Sequence, residues 1–187
     1  MQLAVFGGSF DPVHIAHETI VNEAVKNLNI DKLFVVPTYL NPFKNSSHFE
    51  PKIRSDLLKK VFFNNHKIEV CDYEINQNRA VYSIETIKYL KKLYNPSKIY
   101  LIIGADNITH LNKWYKIDEL RTLVEFVIAS RSGYVNDELT AFKNLKVDIN
   151  ISSTKLRDKI DLNFIPIQIK EDIINLQRNK KVNFWID

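Results

Sequence analysis

Short apolar runs alternate along the chain with segments in which apolar residues recur every three or four positions. A short, unbroken apolar run is typical of a strand buried on both faces, and the wider spacing is typical of an amphipathic helix. The predicted strands are Leu3–Phe6, Leu33–Val36, Ile68–Cys71, Ile99–Ile103, Phe126–Ala129 and Val147–Ile151.

Helices are predicted between and after these strands, and residues with known positional preferences mark their ends. Pro51 suits the first position of a helix, where its missing N–H leaves no bond unmade. Ser83 can cap a helix that runs to about Leu93, and Ser152–Thr154 can cap one that ends near Ile160. The other two predicted helices run from Ile15 to Leu28 and onward from Pro166.

Strands that alternate with amphipathic helices predict a parallel sheet covered by helices on both faces. Because the crossovers of such sheets are right-handed, we expect an α/β fold: a doubly wound, Rossmann-like sheet in a single domain spanning residues 1–187. Ligands of these folds bind beyond the carboxyl ends of the strands, where the strand order reverses. Residues that follow strands are therefore the first candidates for chemistry.

Composition narrows the class of protein. The 187 residues, with 45% hydrophobic and 26% charged, have the make-up of one globular domain. The longest apolar run, Ile99–Ile103, is far shorter than the ~20 residues of a membrane helix, and no signal peptide is predicted. Cys71 is the only cysteine, which excludes an internal disulfide. We therefore expect a cytoplasmic protein with no membrane partner.

The net charge of +4 is spread along the chain, because lysines and arginines form no tract and no tail. Such a distribution does not predict a nucleic-acid partner. It is typical of a solvated surface with a lysine bias, and it also suits an anionic small ligand.

A first cluster of unusual residues follows the first strand directly. Gly7 and Gly8 let the backbone approach a ligand closely, and the next helix presents unpaired N–H groups with about half a positive charge. His14 and His17 lie three positions apart on one face of its first turn, and both can donate to phosphate oxygens. Taken alone, this pair is more readily explained by turn capping and packing.

A second cluster, Ile151–Arg157, also lies at a strand-to-helix junction. The hydroxyls and amides of Ser152 and Ser153, with Arg157 one turn further, form a second anion site, although a capping run with an exposed arginine explains them too. Together the two clusters predict a polyphosphate bound between two helix N-termini. No protein-supplied metal site is predicted, because no third ligand accompanies the two histidines.

These residues resemble the two hallmarks of the nucleotidylyltransferase superfamily, H-x-G-H after the first strand and I-S-S-T-x-x-R near the end. Within it, the chain is similar over essentially its whole length to bacterial nicotinate-nucleotide adenylyltransferases. The matching pieces are Gly7–His14, Pro42–Lys44, Val81–Ser83, Ile103–Asp106, Trp114, Arg131 and Ile151–Arg157. Five positions depart from the usual pattern. Ala16 replaces the glycine of H-x-G-H, and Asn41 and Phe43 replace a proline and a histidine of a P-P-H-[KR] loop. Ser9 and Ser83 stand where threonine is common, and each keeps the hydroxyl.

The resemblance implies that ATP and nicotinate mononucleotide give nicotinate adenine dinucleotide and pyrophosphate, with Mg²⁺ bound together with ATP. Its implied catalytic residues are His14 and His17 on the α- and β-phosphates, Ser9 as an orienting hydroxyl, and Arg157 on the β- and γ-phosphates. Asp106 is expected to accept from a ribose hydroxyl or to cap a helix. The implied ATP-binding residues are Gly7, Gly8, Ser9, His14, His17, Gly104, Asp106, Ser152, Ser153 and Arg157.

The mononucleotide-binding residues that the resemblance implies come from other segments. Trp114 is the best platform for stacking a pyridine ring, although a tryptophan after a helix is as often part of a core. Ser83 and nearby N–H groups suit the ring carboxylate, which distinguishes nicotinate from nicotinamide. Lys44 and Arg131 suit the acceptor phosphate, and Tyr82 completes the set.

Several alternatives stay open at this point. The same chemistry on nicotinamide mononucleotide or phosphopantetheine differs only in the acceptor. A non-catalytic nucleotide sensor would share the fold, and the basic charge alone supports an RNA-binding protein. The sequence leaves the formation of a homo-oligomer undecided.

Overall fold

The computed structural model describes residues 1–42, 46–131, 142–147, 149 and 151–183, without the side chains of residue 131 and residues 179–183. Six strands of the described chain form one parallel sheet in the order β3-β2-β1-β4-β5-β6. The strands are β1 Gln2–Gly8, β2 Lys32–Pro37, β3 Ile68–Val70, β4 Lys98–Gly104, β5 Glu125–Arg131 and β6 Lys143–Val147. The expected doubly wound α/β fold is confirmed.

The strand order reverses at β1. From β1 the chain adds β2 and β3 on one side, and it then returns to place β4, β5 and β6 on the other. Leu3 of β1 accordingly pairs with Lys32 on one side and with Ile99 on the other. A crevice beyond the carboxyl ends of β1 and β4 is the site that this topology offers to a ligand.

Helices cover both faces of the sheet. They are α1 Ile15–Asn27, α2 Pro51–Phe62, α3 Tyr73–Asn76, α4 Ser83–Tyr94, α5 Ile117–Leu123, α6 Ser153–Asp158 and α7 Lys170–Asn183. Because side chains alternate across a strand, Ala4 and Phe6 pack in a core with α1, α2 and α7, while Leu3 and Val5 pack in a core with α4 and α5. None of the helices over the described residues is long and apolar enough to cross a membrane.

The last strand lies earlier in the chain than the sequence predicts. The prediction placed it at Val147–Ile151, whereas β6 is Lys143–Val147. Both stretches alternate apolar and other residues, so the pattern alone does not separate them. Pairing decides between them, because Val147 pairs with Arg131, the residue at which β5 ends.

The helices near the end of the chain begin and end somewhat differently from the prediction. Pro166 is followed by one 3₁₀ turn, Ile167–Ile169, and α7 begins only at Lys170. Helix α6 ends at Asp158 rather than near Ile160. A single 3₁₀ turn at a helix start is a common way to tighten the entry of the chain.

The segment after β4 is a 3₁₀ helix, Ala105–Lys113, whose extent and 3₁₀ character the sequence did not predict. Its buried residues Ala105, Ile108 and Leu111 are spaced by three positions, which is the period of a 3₁₀ helix rather than of an α-helix. A search for apolar residues spaced by three and four therefore does not find it. The short helices α3 and α5 were missed as well.

Candidate active site

A cavity of about 520 Å³ opens at the carboxyl ends of β1, β4 and β5, where the strand order reverses. We call it the main cavity. The ten residues expected to bind ATP all line it: Gly7, Gly8, Ser9, His14, His17, Gly104, Asp106, Ser152, Ser153 and Arg157. The two sequence clusters, which lie far apart along the chain, therefore face one volume.

The turn after β1 brings the backbone to the cavity wall. Phe10 has a φ of 48°, in the left-handed region, and its buried ring packs edge-on against Phe6 and His17. A Cβ on Gly8 would lie 3.1 Å from the Phe10 ring, tighter than ordinary contacts. Glycine at this position therefore lets the ring and the backbone approach each other closely.

His14 and His17 stack face to face at the start of α1. His14 is the N-cap and is 4% exposed, and the two ring centroids are 3.7 Å apart with the planes within 19° of parallel. The backbone N–H of His14 donates to Nδ1 of His17 at 3.3 Å. This bond assigns to neutral His17 the tautomer with its proton on Nε2, which makes that atom a donor. The unpaired N–H groups of the first turn of α1 add positive potential beside it.

Two side chains of helix α6 form hydrogen bonds with the turn after β1. Oγ of Ser153 donates to the carbonyl of Pro12 at 3.1 Å, and Nη1 of Arg157 donates to the carbonyl of Asp11 at 2.9 Å. Nη2 of Arg157 donates to the hydroxyl of Thr154 at 2.9 Å. These bonds hold the Arg157 guanidinium in a fixed orientation, which a flexible surface arginine would lack.

Ser152 has a local structural role as well as a place on the cavity wall, whereas Asp106 does not have the capping role expected of it. Ser152 caps α6 by accepting the N–H of Lys155 at 3.3 Å. Asp106 lies over Gly104, where a Cβ would collide with its carboxylate. The N-cap of the 3₁₀ helix is Gly104, so the interpretation of Asp106 as a helix cap is wrong.

The rest of the wall is mostly apolar and comes from residues that were not predicted to bind a ligand. Ala129 and Ser130 lie at the end of β5, so the rule that ligands bind beyond strand ends could have found them. Ile20 and Ile149 carry no local signal in the sequence. The full set is Phe6, Phe10, Ala16, Ile20, Ala105, Ala129, Ser130, Val147, Ile149 and Thr154.

The residues expected to bind the mononucleotide do not line the main cavity in the described part of the chain. Tyr82 and Ser83 lie at the N-terminus of α4, and Trp114 follows the 3₁₀ helix, partly buried against the core of α4 and α5. The exposed ring of Tyr82 packs 4.6 Å from that of Tyr115. Outside the described residues lie Phe43, Lys44 and the side chain of Arg131.

A buried carboxyl group lies beside α4. Oε1 of Glu74 accepts from the Thr86 hydroxyl at 2.6 Å, and its Oε2 has no hydrogen-bond partner among the described residues. Burial raises the pKa of Glu74 to about 7, although the Thr86 hydroxyl lowers this pKa and the charge of Glu85 raises it further. Glu74 therefore changes charge near neutral pH. We call Glu74, Tyr82, Ser83, Thr86, Trp114 and Tyr115 the α4 cluster.

The donor set of the main cavity fits a Mg²⁺ ion that arrives on a polyphosphate. Within the described ranges, no three His, Cys, Asp or Glu side chains lie close enough together to hold a metal ion. Asp106 supplies one exposed carboxylate and Ser9 one hydroxyl. Mg²⁺ prefers oxygen ligands and keeps several waters, so phosphate oxygens with one protein carboxylate are sufficient.

The cavity and the two motifs around it lie within a segment, residues 5–159, that matches the Cytidylyltransferase-like family model. The chain therefore belongs to this family of nucleotide-transferring proteins. Curated relatives narrow the assignment. It is 59% identical to a protein of Aliarcobacter butzleri, over 97% of this chain and 100% of the relative, and 46% identical to one of Campylobacter fetus, over 96% and 98%. Both are named "Probable nicotinate-nucleotide adenylyltransferase", and the chain is a member of that family.

Solved structures agree with this assignment. Plasmodium falciparum nicotinic acid mononucleotide adenylyltransferase complexed with NaAD matches with a TM-score of 0.75 and 26% identity, over 94% of this chain and 95% of that chain. The same enzyme complexed with APC matches with a TM-score of 0.74. The nucleotidylyltransferase fold expected from the sequence is thus confirmed.

Proposed function

We propose that this protein transfers the adenylyl group of ATP to nicotinate mononucleotide and releases pyrophosphate. The observation that carries the proposal is the main cavity, where the stacked histidines, the Gly7–Gly8 turn and the oriented Arg157 surround one volume. The two relatives that align with this chain over nearly its whole length are named for that activity. The product is nicotinate adenine dinucleotide, an intermediate of NAD biosynthesis.

The reaction is a direct displacement at phosphorus. A phosphate oxygen of the mononucleotide forms a bond to the α-phosphorus of ATP, and the bond from that phosphorus to the oxygen bridging to the β-phosphate breaks. The electron pair of the broken bond leaves with pyrophosphate, so no covalent enzyme intermediate is needed. Catalysis of this kind rests on positioning and charge stabilisation, and well-oriented reactants account for roughly 7–11 kcal/mol of barrier lowering.

His17 is assigned the largest role in charge stabilisation. Its Nε2–H donor is set by the backbone N–H of His14, so the ring needs no reorganisation when charge develops on the leaving pyrophosphate. His14 lies under it in the stack and faces the same cavity. Both rings stand at the positive end of α1, which adds to the potential for the α- and β-phosphates.

Arg157 and Ser153 are assigned to the β- and γ-phosphates, and Ser9 to the orientation of the reacting group. Arg157 uses Nη1 and Nη2 to hold its place and still presents further N–H donors. Ser9 lies on the cavity wall beside Gly7 and Gly8, whose backbone can approach phosphate oxygens. Arg157 and Ser153 are already held by their hydrogen bonds to the turn after β1, which reduces the entropy lost on binding.

Asp106 is assigned to a ribose hydroxyl, which its exposed carboxylate can accept from. The same carboxylate and the phosphate oxygens would hold Mg²⁺, whose charge screens the phosphates when it is bound with ATP.

The α4 cluster is assigned to the pyridine ring of the acceptor. Trp114 and Tyr82 offer aromatic surface, and Ser83 begins α4, where unpaired N–H groups suit the ring carboxylate. We assign Lys44 and Arg131 to the acceptor phosphate on the resemblance alone. A site that hydrogen-bonds the carboxylate rejects the amide strongly, because its donors would be left unpaired.

The test is pyrophosphate release with Mg–ATP and either nicotinate or nicotinamide mononucleotide, with the products identified by mass. Release mainly with the nicotinate form supports both the chemistry and the acceptor. Equal or greater release with the nicotinamide form keeps the chemistry and overturns the acceptor. ATP binding without release with either form would favour a different acceptor, such as phosphopantetheine, or a nucleotide sensor.

A further inference from the structure

Arg54 of α2 is a buried cation with no part in the proposed chemistry. It is 1% exposed, and its guanidinium donates to four backbone carbonyls. Nε donates to Phe49 at 3.1 Å, Nη1 to Ser9 at 2.5 Å, and Nη2 to Thr38 and Tyr39 at 2.8 and 2.9 Å. Four of its five N–H donors are thus committed to main-chain oxygens.

Those carbonyls belong to two different parts of the chain. Ser9 lines the main cavity, in the turn that follows β1. Thr38 and Tyr39 follow the end of β2, and Phe49 precedes α2, so these three flank the connection between β2 and α2. One side chain therefore fixes both ends of that connection against the turn that carries Ser9.

Asp11 completes the same arrangement from the other direction. Its carboxylate accepts the backbone N–H groups of His48 and Phe49 at 2.6 and 2.8 Å, and its carbonyl accepts Nη1 of Arg157 at 2.9 Å. The side chain is 3% exposed. Through Asp11, the arginine of the second motif is tied to the segment that Arg54 holds.

A buried charge is an expensive way to hold a loop for stability alone, because an apolar side chain of similar volume often serves as well. A guanidinium does something that an apolar group cannot, since its planar fork fixes several acceptors in set directions. Burial lowers the pKa of Arg54 and the neighbouring Asp11 raises it, yet a guanidinium stays charged in either case. The gain is therefore geometric.

We propose that Arg54 is a positioning residue for adenylyl transfer: by holding the Ser9 carbonyl against both ends of the β2–α2 connection, it fixes the turn that carries Ser9 in the orientation that the reacting phosphates need in the main cavity. The inference rests on the proposed function. Arg54 acts through Ser9 and the connection and touches neither substrate.

The test compares Arg54→Lys and Arg54→Gln with Lys52→Met, an exposed residue of the same helical turn. Each variant is assayed for kcat by pyrophosphate release and for ATP affinity by calorimetry, and its Tm is recorded. Lysine and glutamine cannot span four carbonyls, so kcat should fall about 10- to 100-fold, as it does when reacting groups are misplaced by about 1 Å. ATP affinity should stay within about threefold, and Lys52→Met should match the wild type.

Two results would overturn the inference: an unchanged kcat, or losses of kcat and ATP affinity in equal proportion, which would indicate a general structural defect. A wild type that releases no pyrophosphate refutes the proposed function, whereas an active wild type with active Arg54 variants refutes only the role of Arg54. If both variants fail to fold, Asp11→Asn replaces them, because it loosens the hold on His48 and Phe49 and keeps the carbonyl that Arg157 binds. In Asp11→Asn, kcat must likewise fall while ATP affinity stays nearly unchanged. Equal losses of kcat and ATP affinity would count against the inference.

Discussion

Two regions of the molecule hold buried charged side chains, and the hydrogen bonding of these side chains differs between the regions. Next to the turn that carries Ser9, the Asp11 carboxylate accepts two backbone N–H groups and Arg54 donates to four carbonyls. In the α4 cluster, Glu74 has one hydroxyl partner, and its second oxygen has none among the described residues. Asp11 and Arg54 are thus bonded to the main chain, whereas the pKa of the Glu74 carboxyl is raised to about 7.

This difference in hydrogen bonding indicates which of the two regions is preorganised before a ligand binds. Bonds to main chain hold a turn in one shape whatever the side chains nearby do, so the main cavity presents its donors in fixed directions. The α4 cluster instead relies on aromatic contacts and one buried carboxyl whose charge depends on pH. We therefore expect changes at the main cavity to act on turnover and changes at the α4 cluster to act on stability and acceptor binding.

The largest expected effect is that of His17→Ala, which tests whether the main cavity holds its donors in fixed directions. Loss of a donor aimed at developing charge typically lowers turnover by about 10²- to 10³-fold, and His17 is the residue whose donor atom the backbone sets. We expect kcat to fall by that amount while mononucleotide affinity changes little, as measured by steady-state kinetics and calorimetry.

His66→Ala is the matched control, because His66 is exposed and lies outside the residues that line the main cavity. It should leave kcat unchanged. Equal losses of turnover and mononucleotide affinity in His17→Ala would contradict the assigned role and remove the contrast between the two regions.

The sequence predicted the residues that line the main cavity better than it predicted the buried carboxyl of the α4 cluster, for physical reasons. The strands β1, β2, β4 and β5 are buried on both faces, which leaves an unbroken apolar signature. The residues of the main cavity were recognisable because glycines, paired histidines and a capped helix directly follow strands. Local patterns of this kind can be found from a few neighbouring residues.

Arg54 and Glu74 could not be found in the same way. Arg54 stands in an amphipathic helix beside Ile53, where a charge normally marks the solvent side. Its guanidinium bonds to carbonyls of two distant segments, at Ser9 and at Thr38, as well as to the nearby Phe49. Glu74 is buried by its contact with Thr86, twelve positions further along the chain. Long-range contacts of this kind appear only once the sheet is assembled.

A second test addresses the stability of the α4 cluster through pH. The folded-state pKa of Glu74 is raised, so its contribution to the free energy of unfolding is fully present below its ordinary pKa of 4.5 and is lost as pH rises through about 7. Each tenfold change in proton affinity corresponds to about 1.4 kcal/mol, which gives a loss of about 3 kcal/mol between pH 4.5 and pH 8. Glu74→Gln keeps an acceptor for Thr86 and cannot ionise. We expect its stability relative to the wild type to rise with pH by up to that amount.

Denaturant unfolding at intervals from pH 4.5 to pH 8 measures this difference, and Glu69→Gln is the control. Glu69 is largely exposed and pairs with Lys32 at the surface, where an ion pair contributes about 1 kcal/mol or less. Curves for Glu74→Gln and wild type that stay parallel across the range would show that the pKa of Glu74 is the same in the folded and unfolded protein, which contradicts a raised pKa.

The smallest expected effect is that of Trp114→Ala, which tests whether the α4 cluster binds the pyridine ring of the acceptor. Trp114 is partly buried against the core of α4 and α5, so part of its surface packs and the rest is available for stacking. Stacking of two aromatic rings contributes about 0.5–1.5 kcal/mol, so Trp114→Ala should raise the KM for nicotinate mononucleotide by up to about tenfold, with the KM for ATP unchanged. Trp114→Phe keeps a ring and should recover most of the loss. If the alanine variant instead lowers Tm while both KM values stay as in the wild type, Trp114 serves only the core, and the acceptor ring must bind elsewhere in the protein.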